Sequence, residues 1–155
     1  MTRSPESFRH EQQPAEIQNL GDFDLQYFQK LEGQNGWLAI GQDNCMNQRY
    51  FTVCGNKGEK LGIAGVYDTA DEKNIIHYVV DPDFRGQGLA AKFTLRLMDE
   101  LNLPFITSII NLDNTNSIKA TEKIIGIKKI SDEQYEQDFH KVKYVYEKPQ
   151  EEPTE

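Results

Sequence analysis

The feature that most limits the possible folds is a change of hydrophobic period on either side of a glycine-containing loop in the middle of the chain. Residues 74–80 (NIIHYVV) are apolar and β-branched and end before Asp81 and Pro82, which is typical of a strand that meets a turn. After Gly88, large apolar residues recur at helical spacing through residue 101 and predict a helix. Because a strand, loop and helix in this order gather unpaired N–H groups and the positive end of a helix dipole, the sequence predicts an anion-binding loop.

The composition of this loop suits a phosphate. Gly86 and Gly88 let the backbone approach a ligand closely, and Arg85 adds a positive charge. The spacing does not fit a dinucleotide fingerprint, because the third small residue is misplaced, and no Gly-Lys-Ser/Thr of a Walker loop follows. The alternative interpretation is an ordinary surface turn, in which two glycines are common.

The flanking segments predict an α/β domain with one mixed sheet and helices packed on it. A short amphipathic helix is expected over residues 22–31. Strand patterns separated by polar turns predict an antiparallel meander over residues 49–54, 60–67 and 74–80. After the helix that follows the loop, we expect a strand, a helix and two further strands at residues 105–110, 114–124, 127–130 and 142–146. The predicted order is βββ-α-β-α-β-β after an N-terminal helical region.

The run V-x-P-x-x-R-G-Q-G-L-A, preceded by this meander and followed by Asn114-x-x-Ser117 at the start of the second helix, resembles the GCN5-related N-acetyltransferase (GNAT) family. The family signature R-x-x-G-x-A is found at Arg85, Gly88 and Ala90. The resemblance covers roughly residues 15–148. It implies a GNAT-like mixed sheet with helices on both faces.

The resemblance also implies an acetyl-CoA site. Backbone N–H groups of residues 86–91 would hold the pyrophosphate, and the strand before the loop would pair with the pantetheine amides in a gap beside residues 105–110. A strand N–H at Val79 or Val80 would bind the thioester carbonyl. The implied cofactor-binding residues are Tyr78, Val79, Val80, Arg85, Gly86, Gln87, Gly88, Leu89, Ala90, Ala91 and Asn114.

The implied reaction is direct transfer of an acetyl group to a primary amine in a ternary complex, without a metal or a nucleophilic side chain. The amine must first lose a proton, and the leaving thiolate must be solvated or protonated. His77 is a candidate base because it lies on the strand before the loop and shares a face with Val79. The alternative for His77 is a histidine that is hydrogen-bonded in a partly buried layer.

The sequence departs from the family pattern at one catalytic position. Many members have a tyrosine seven residues after the motif asparagine, where this chain has Thr121. Ser117 is the candidate proton donor in its place, although Asn114 and Ser117 also fit a purely capping role. The departure leaves open a catalytically impaired acyl-CoA-binding protein of the same fold, acting as a sensor or scaffold. A nucleotide-binding regulatory module is a third alternative.

The distribution of charge bears on the partners. The net charge is −8, yet residues 37–130 contain eleven acidic and eleven basic residues, so the acidity lies at the two ends. An acidic chain is a poor match for nucleic acid. We expect a cationic small molecule or peptide as the acceptor, recognised by Asp132, Glu133, Glu136 and Asp138. Aromatic candidates for the acceptor pocket, which core packing explains equally well, are Trp37, Tyr135, Phe139, Tyr144 and Tyr146.

The remaining expectations concern organisation and location. We predict a single domain over residues 15–148 between a loose tail at 1–14 and a loose acidic tail at 149–155. Cys45 and Cys54 form no C-x-x-C motif, and the N-terminal residues have no apolar signal core. We therefore expect a cytoplasmic protein, a monomer or homodimer, with no membrane or metal partner.

Overall fold

The computed structural model describes residues 14–32 and 44–149. Almost all of the two predicted tails, and Trp37, lie outside these residues. The described strands are β1 (Ile17–Gly21), β2 (Met46–Gly55), β3 (Lys60–Asp68), β4 (Ile75–Val80), β5 (Phe105–Asn111), β6 (Lys128–Lys129) and β7 (Lys141–Glu147). The described helices are α1 (Leu25–Glu32), α2 (Leu89–Glu100), α3 (Thr115–Glu122) and α4 (Glu133–Phe139), with a 3-10 turn at Pro82–Phe84.

The seven described strands form one mixed sheet in the order β1-β2-β3-β4-β5-β7-β6. Strands β1 to β4 are an antiparallel meander, β4 and β5 run parallel, and β7 pairs antiparallel with both β5 and β6. Strands β4 and β5 run parallel because helix α2 carries the chain back across the sheet, so that β5 starts beside the start of β4. The sheet therefore consists of two antiparallel parts that meet at β4 and β5.

Side-chain alternation places helices on both faces of this sheet. Ile76 packs with Phe93 and Leu97 of α2 and with Ile106 in the main hydrophobic core. His77, one residue further along β4, faces the other way and makes an edge-on ring contact with Phe28 of α1. We refer to the two faces as the α2–α3 side and the α1–α4 side.

The predicted fold class is confirmed, with two additions. Strand β1 was not expected, because its sequence is half polar and its order comes from pairing with β2, from Ile17↔Gly55 to Gly21↔Thr52. Helix α4 was not expected either, because it has few apolar residues. It begins at Asp132, whose side chain accepts a hydrogen bond from the Tyr135 N–H at 2.8 Å.

Smaller differences concern the ends of elements. Helix α3 ends at Glu122, two residues before the predicted end, and Ile124 is buried in the following turn. Strand β2 begins three residues before the predicted start, at Met46. Within the described part of the chain, no helix combines the length and the apolar character needed to cross a lipid bilayer.

Candidate active site

A cleft opens where the two parallel strands separate. Strands β4 and β5 are paired at Ile75↔Thr107, near the start of β4, and the Thr107 N–H donates to the carbonyl oxygen of Asn74 at 2.9 Å. Beyond this pair the strands diverge and leave a cavity of about 590 Å³. The edge of β4 from Ile76 to Val80 that faces β5 is thus without a strand partner in the described sheet.

The cleft passes through the sheet, so its lining comes from both faces. On the α2–α3 side it is lined by Ile76, Tyr78, Ser108, Ile110, Asn114, Ser117 and Thr121. On the α1–α4 side the strand residues that line it are Tyr67, Ile75, His77, Ile109, Asn111 and Lys141, and the loop residues are Asn44, Cys45 and Thr69. A molecule in the cleft can therefore be reached from both faces of the sheet.

The predicted anion-binding loop follows β4, whose residues 75–78 line the cleft. Gly86 and Gly88 have φ angles of 82° and 72°, and a Cβ atom added to either would meet nothing within 4 Å. Gly88 is the N-cap of α2 and makes no side-chain capping bond. Among the described residues, none accepts a hydrogen bond from the N–H groups of residues 85–88. These donors and the helix N-terminus are positioned to hold a phosphate.

A hydrogen-bond network fixes the start of this loop. The Asp81 side chain accepts a bond from the Asp83 N–H at 3.0 Å and one from the Tyr27 hydroxyl at 2.7 Å. Burial, and then the bond to Asp81, raise the pKa of Tyr27, which keeps its hydroxyl protonated as a donor. Lys60 forms an ion pair with Asp24 at 2.7 Å beside Tyr27. Helix α1 therefore positions the loop, a role that the sequence pattern did not predict.

The side chains of the other predicted loop residues pack or hydrogen-bond within the fold. These residues would therefore contact a phosphate mainly through their backbone N–H groups. The Gln87 side chain accepts a hydrogen bond from the Ala15 N–H at 2.8 Å, so it binds the segment before β1. Leu89 is buried in the core. The Arg85 guanidinium is exposed, and its Nε donates to the carbonyl oxygen of Val80 at 3.4 Å. Ala90 and Ala91 are half-buried in the first turn of α2.

Two hydroxyl groups meet on the α2–α3 side of the cleft. The Tyr78 hydroxyl of β4 lies 3.2 Å from the Ser117 hydroxyl of α3. Asn114 is the N-cap of α3, and its side chain accepts a bond from the Ser117 N–H at 3.2 Å, as the capping alternative predicts. Thr121 is buried and also lines the cleft. The cleft thus contains a tyrosine hydroxyl from β4, although α3 has none at the family position, and residue spacing along α3 could not reveal it.

His77 is 7% exposed and lines the cleft from the α1–α4 side. Its Nδ1 atom lies 3.3 Å from the Tyr50 hydroxyl, and the Tyr50 and Phe28 rings contact it edge-on. This arrangement matches the hydrogen-bonded layer considered above, and it also fixes the orientation of the ring beside the cleft. Both functions suggested by the sequence are compatible with this position.

The rest of the α1–α4 side combines the apolar residues Ile75 and Ile109 with several polar side chains. Burial, and then the nearby Cys45 thiol, raise the pKa of Tyr67 to about 12, so its hydroxyl stays neutral at physiological pH. The four acidic residues of the α4 region do not line the cleft: Asp132 caps the helix, Glu136 pairs with Lys129, and Asp138 accepts a bond from Gln134. The described lining also omits the predicted aromatic candidates Tyr135, Phe139, Tyr144 and Tyr146.

The aromatic residues instead have structural contacts. Tyr144 is buried, and burial followed by a hydrogen bond to Glu122 raises its pKa to about 12. Tyr146 packs against the main core, and the rings of Tyr135 and Phe139 on α4 contact each other at a tilt of 42°, with centroids 4.8 Å apart. Over residues 14–32 and 44–149, no group of three or more His, Cys, Asp or Glu side chains is arranged to hold a metal ion.

Comparison with solved structures shows that acetyltransferases share this fold. An acetyltransferase from Bacillus subtilis in complex with CoA is 12% identical, with a TM-score of 0.62 and coverage of 87% of this chain and 99% of that chain. An acetyltransferase from Bacillus anthracis in complex with acetyl coenzyme A is 16% identical, with a TM-score of 0.51 and coverage of 71% and 66%. The acetyltransferase from Agrobacterium tumefaciens is 21% identical, with a TM-score of 0.50 and coverage of 65% and 61%.

This chain thus spans less than two thirds of the length of the Agrobacterium protein. No curated protein matches the sequence significantly. The family described as acetyltransferase (GNAT) domain matches residues 6–125, a region that contains the loop, both strands of the cleft and helix α3. With the sheet order, the divergence of β4 and β5 and the unpaired loop donors already established, this match shows that the chain belongs to the GNAT acetyltransferase domain family.

Proposed function

We propose that this protein transfers an acetyl group from acetyl-CoA to a primary amine by direct attack in a ternary complex. The observation that carries the proposal is the position of the loop: its N–H groups have no described acceptor, and it directly follows β4, the strand whose unpaired edge borders the cleft. Family membership supports the acetyl group as the one transferred. The CoA and acetyl coenzyme A complexes of the two Bacillus proteins support the cofactor.

The residues around the cleft fit such a cofactor. The N–H groups of residues 85–88 have no described acceptor, and the open space around Gly86 and Gly88 leaves room for a pyrophosphate. The free edge of β4 offers the backbone groups of Tyr78 and Val80 to an extended amide chain, whereas those of Val79 between them face β3. When bound, acetyl-CoA supplies the acetyl group already activated as a thioester.

Each remaining step is assigned to a group of this chain. The Val80 N–H donates a hydrogen bond to the thioester carbonyl oxygen, where negative charge develops. The alternative donor, the Val79 N–H, is directed at β3, because the Asp81 N–H two residues further along donates to the Leu61 carbonyl oxygen. His77 accepts the proton that the acceptor ammonium loses, directly or through a water molecule. The overall reaction forms a C–N bond and breaks a C–S bond, and it yields an N-acetylated amine and a free thiol.

The leaving thiolate takes its proton from the hydroxyl pair. Ser117 and Tyr78 are 3.2 Å apart and both line the α2–α3 side of the cleft, so either hydroxyl can donate while the other returns a hydrogen bond. A tyrosine is the stronger acid of the two residue types. We assign Ser117 and Tyr78 together to this role, in place of the tyrosine that Thr121 replaces.

The direct test measures CoA thiol released from acetyl-CoA with a panel of primary amines, beside calorimetric binding of CoA. We expect saturable CoA binding and amine-dependent thiol release in the wild-type protein. Removal of the loop geometry by Gly86→Val and Gly88→Val together should abolish both, because side chains at these positions occupy the space assigned to the pyrophosphate.

The matched control is Gly126→Ala, which changes a glycine with a φ of 91° outside the cleft and should leave CoA binding unchanged. Saturable CoA binding without turnover of any amine would instead support the acyl-CoA-binding alternative. Absence of CoA binding to the folded wild-type protein would overturn the proposed function.

A further inference from the structure

The α1–α4 side of the cleft carries a lysine that the proposed chemistry does not use. Lys141 is the first residue of β7, pairs with Asn111 at the end of β5, and lines the cleft. Alternation puts it on the same side as Lys143, which lies over the Tyr135 ring of α4. Lys141 therefore faces the side of the sheet opposite to Ser117 and Tyr78.

The two lysines have different electrostatic surroundings. Lys143 forms an ion pair with Glu72, and both side chains are largely shielded from solvent. Lys141 is exposed and has no ion-pair partner among the described residues. Asp113, the acidic residue that follows β5, pairs with His140 at 3.1 Å. The charge of Lys143 is compensated within the fold, whereas that of Lys141 is available to a ligand.

The other described residues that line this side of the cleft include no Asp, Glu, Lys or Arg. The side chains of Asn44, Thr69, Tyr67 and Asn111 offer neutral donors and acceptors, and the raised pKa of Tyr67 keeps its hydroxyl neutral. No acidic residue belongs to the lining drawn from residues 14–32 and 44–149. Within this described lining, a polycationic acceptor would meet no carboxylate that offsets its charge, and it would be repelled by Lys141.

The position of Lys141 determines how large a ligand must be to contact both Lys141 and His77. His77 is level with Ile109 along the sheet, because Ile75 is paired with Thr107. From His77 on β4, Lys141 is two strands away and two residues further along, because it pairs with Asn111. At about 4.8 Å per strand and about 3.3 Å per residue, their backbones are at least roughly 12 Å apart, and the divergence of β4 from β5 adds to this distance. The lysine side chain covers part of this distance. A small molecule therefore suffices to place an amine beside His77 and an anionic group beside Lys141.

We infer that the acceptor is a small amine that also carries an anionic group, with Lys141 binding that group and His77 facing the amine. The inference rests on the proposed acetyl transfer and specifies its acceptor class. It replaces the expectation of a cationic acceptor, which depended on acidic residues of the α4 region that do not line the cleft. The ligand chemistry is a zwitterion, and the anionic group is a carboxylate or a phosphate.

The test compares matched acceptors in the thiol-release assay. Glycine, β-alanine and L-phenylalanine are each paired with their carboxamides, O-phosphoethanolamine is paired with ethanolamine, and spermidine represents polycations. We expect kcat/KM at least tenfold higher for an anionic member than for its neutral partner. The amino acid and phosphate pairs distinguish a carboxylate from a phosphate as the group that Lys141 binds.

Variants of Lys141 test whether this residue causes the preference for an anionic acceptor. Lys141→Gln should remove the preference for the anionic acceptor by raising its KM about tenfold, as expected for loss of a charge-assisted hydrogen bond. Lys141→Arg should retain it. Lys128→Gln, which removes an exposed lysine of β6 that does not line the cleft, should leave it unchanged.

Three results would overturn the inference while leaving the proposed function intact: faster acetylation of the neutral partners, faster acetylation of spermidine, or a Lys141→Gln variant in which only the KM for acetyl-CoA rises. If CoA binds and no amine reacts, the proposed function fails. Calorimetry of N-acetyl-β-alanine and its amide with the CoA-saturated protein then decides the inference separately. A preference for the acid that Lys141→Gln removes upholds it, and equal binding overturns it.

Discussion

The two sides of the cleft differ in how the chain builds them. The α2–α3 side meets a loop of consecutive residues whose free donors are backbone N–H groups, so its recognition depends on glycine conformation at Gly86 and Gly88. The α1–α4 side is assembled from side chains that are far apart in sequence, from Asn44 to Lys141. A backbone cradle is insensitive to most side-chain substitutions, whereas a set of separate side chains can change one residue at a time. The comparison predicts a fixed cofactor specificity and an adjustable acceptor specificity.

The largest effect should come from the hydroxyl pair on the α2–α3 side. We expect the double variant Ser117→Ala, Tyr78→Phe to lower kcat by about 10²- to 10⁴-fold, the range for loss of a general acid, while CoA binding stays unchanged. The measurement is thiol release at saturating acetyl-CoA together with calorimetry. Thr115→Ala on the same helix, which removes an exposed hydroxyl outside the cleft, is the control. An unchanged kcat would remove the pair from the chemistry.

A smaller effect is expected from the base on the α1–α4 side. We expect His77→Gln to lower kcat/KM about 100-fold for alkyl amines, which are protonated at neutral pH. An aromatic amine, already neutral at that pH, should lose much less, because it needs no base before it attacks. The assay compares the two acceptor types in the variant and the wild type. Equal losses for both would indicate that His77 acts through packing against Tyr50 and Phe28.

The variant Gly88→Ala adds a single methyl group to the backbone cradle, which consists of the N–H groups of residues 85–88. We expect Gly88→Ala to weaken CoA binding about tenfold, equivalent to about 1.4 kcal/mol, because the added Cβ enters space reserved for the ligand. Alanine at a positive φ also costs roughly 1–2 kcal/mol of folding stability. Gly126→Ala shares that conformational cost, so chemical denaturation and calorimetry of the two variants separate strain from binding. Equal CoA affinity in both variants would contradict the cradle.

The smallest effect is expected at the turn between β3 and β4, which begins after Asp68. Asp68 accepts hydrogen bonds from the Asn74 N–H and the Asn47 amide, both at 2.8 Å. Burial alone would raise the pKa of Asp68, but these bonds outweigh it and hold the pKa below its ordinary value of 3.8. A lowered folded-state pKa means that the stabilisation is fully present above the unfolded value and is lost as the pH falls through the folded value.

We therefore expect Asp68→Asn to lower the free energy of unfolding by about 1 kcal/mol at pH 7, and the difference from wild type to shrink below pH 3.8. Urea denaturation at a series of pH values measures this. Asp71→Asn, at an exposed position in the same turn, is the control. A difference that persists unchanged at pH 2 would mean that the Asp68 charge contributes nothing.

Local patterns in the sequence were enough to predict the loop and the fold class. The change from strand to helix period around Gly88 is encoded in consecutive residues, and so is the meander before it. The Tyr78–Ser117 contact joins residues 39 apart and depends on how α3 packs over the sheet. The Tyr27–Asp81 bond spans 54 residues. Such pairs have no local signal, because they exist only after the sheet has formed.

The same reasoning explains which expectations on the α1–α4 side gain no support from the described lining of the cleft. The acidic residues of α4 were expected to recognise a cation because they are clustered in sequence, yet capping and ion pairs within the fold occupy Asp132 and Glu136. The direction of Lys141 follows from its register opposite Asn111, which no sequence pattern reveals. Strand β1 owes its conformation to β2 and not to its own composition.

The pairing of β4 with β5 at Ile75↔Thr107 has a mechanical consequence. The two antiparallel parts of the sheet are joined at this pair, near the start of β4, and beyond it their unpaired edges face each other across the cleft. A ligand that hydrogen-bonds along the β4 edge would act as the missing strand and complete the sheet. Hydrogen exchange should then slow on Tyr78 and Val80, whose N–H groups face the cleft, and in β5, so the small molecule would serve as a structural element of the domain that binds it.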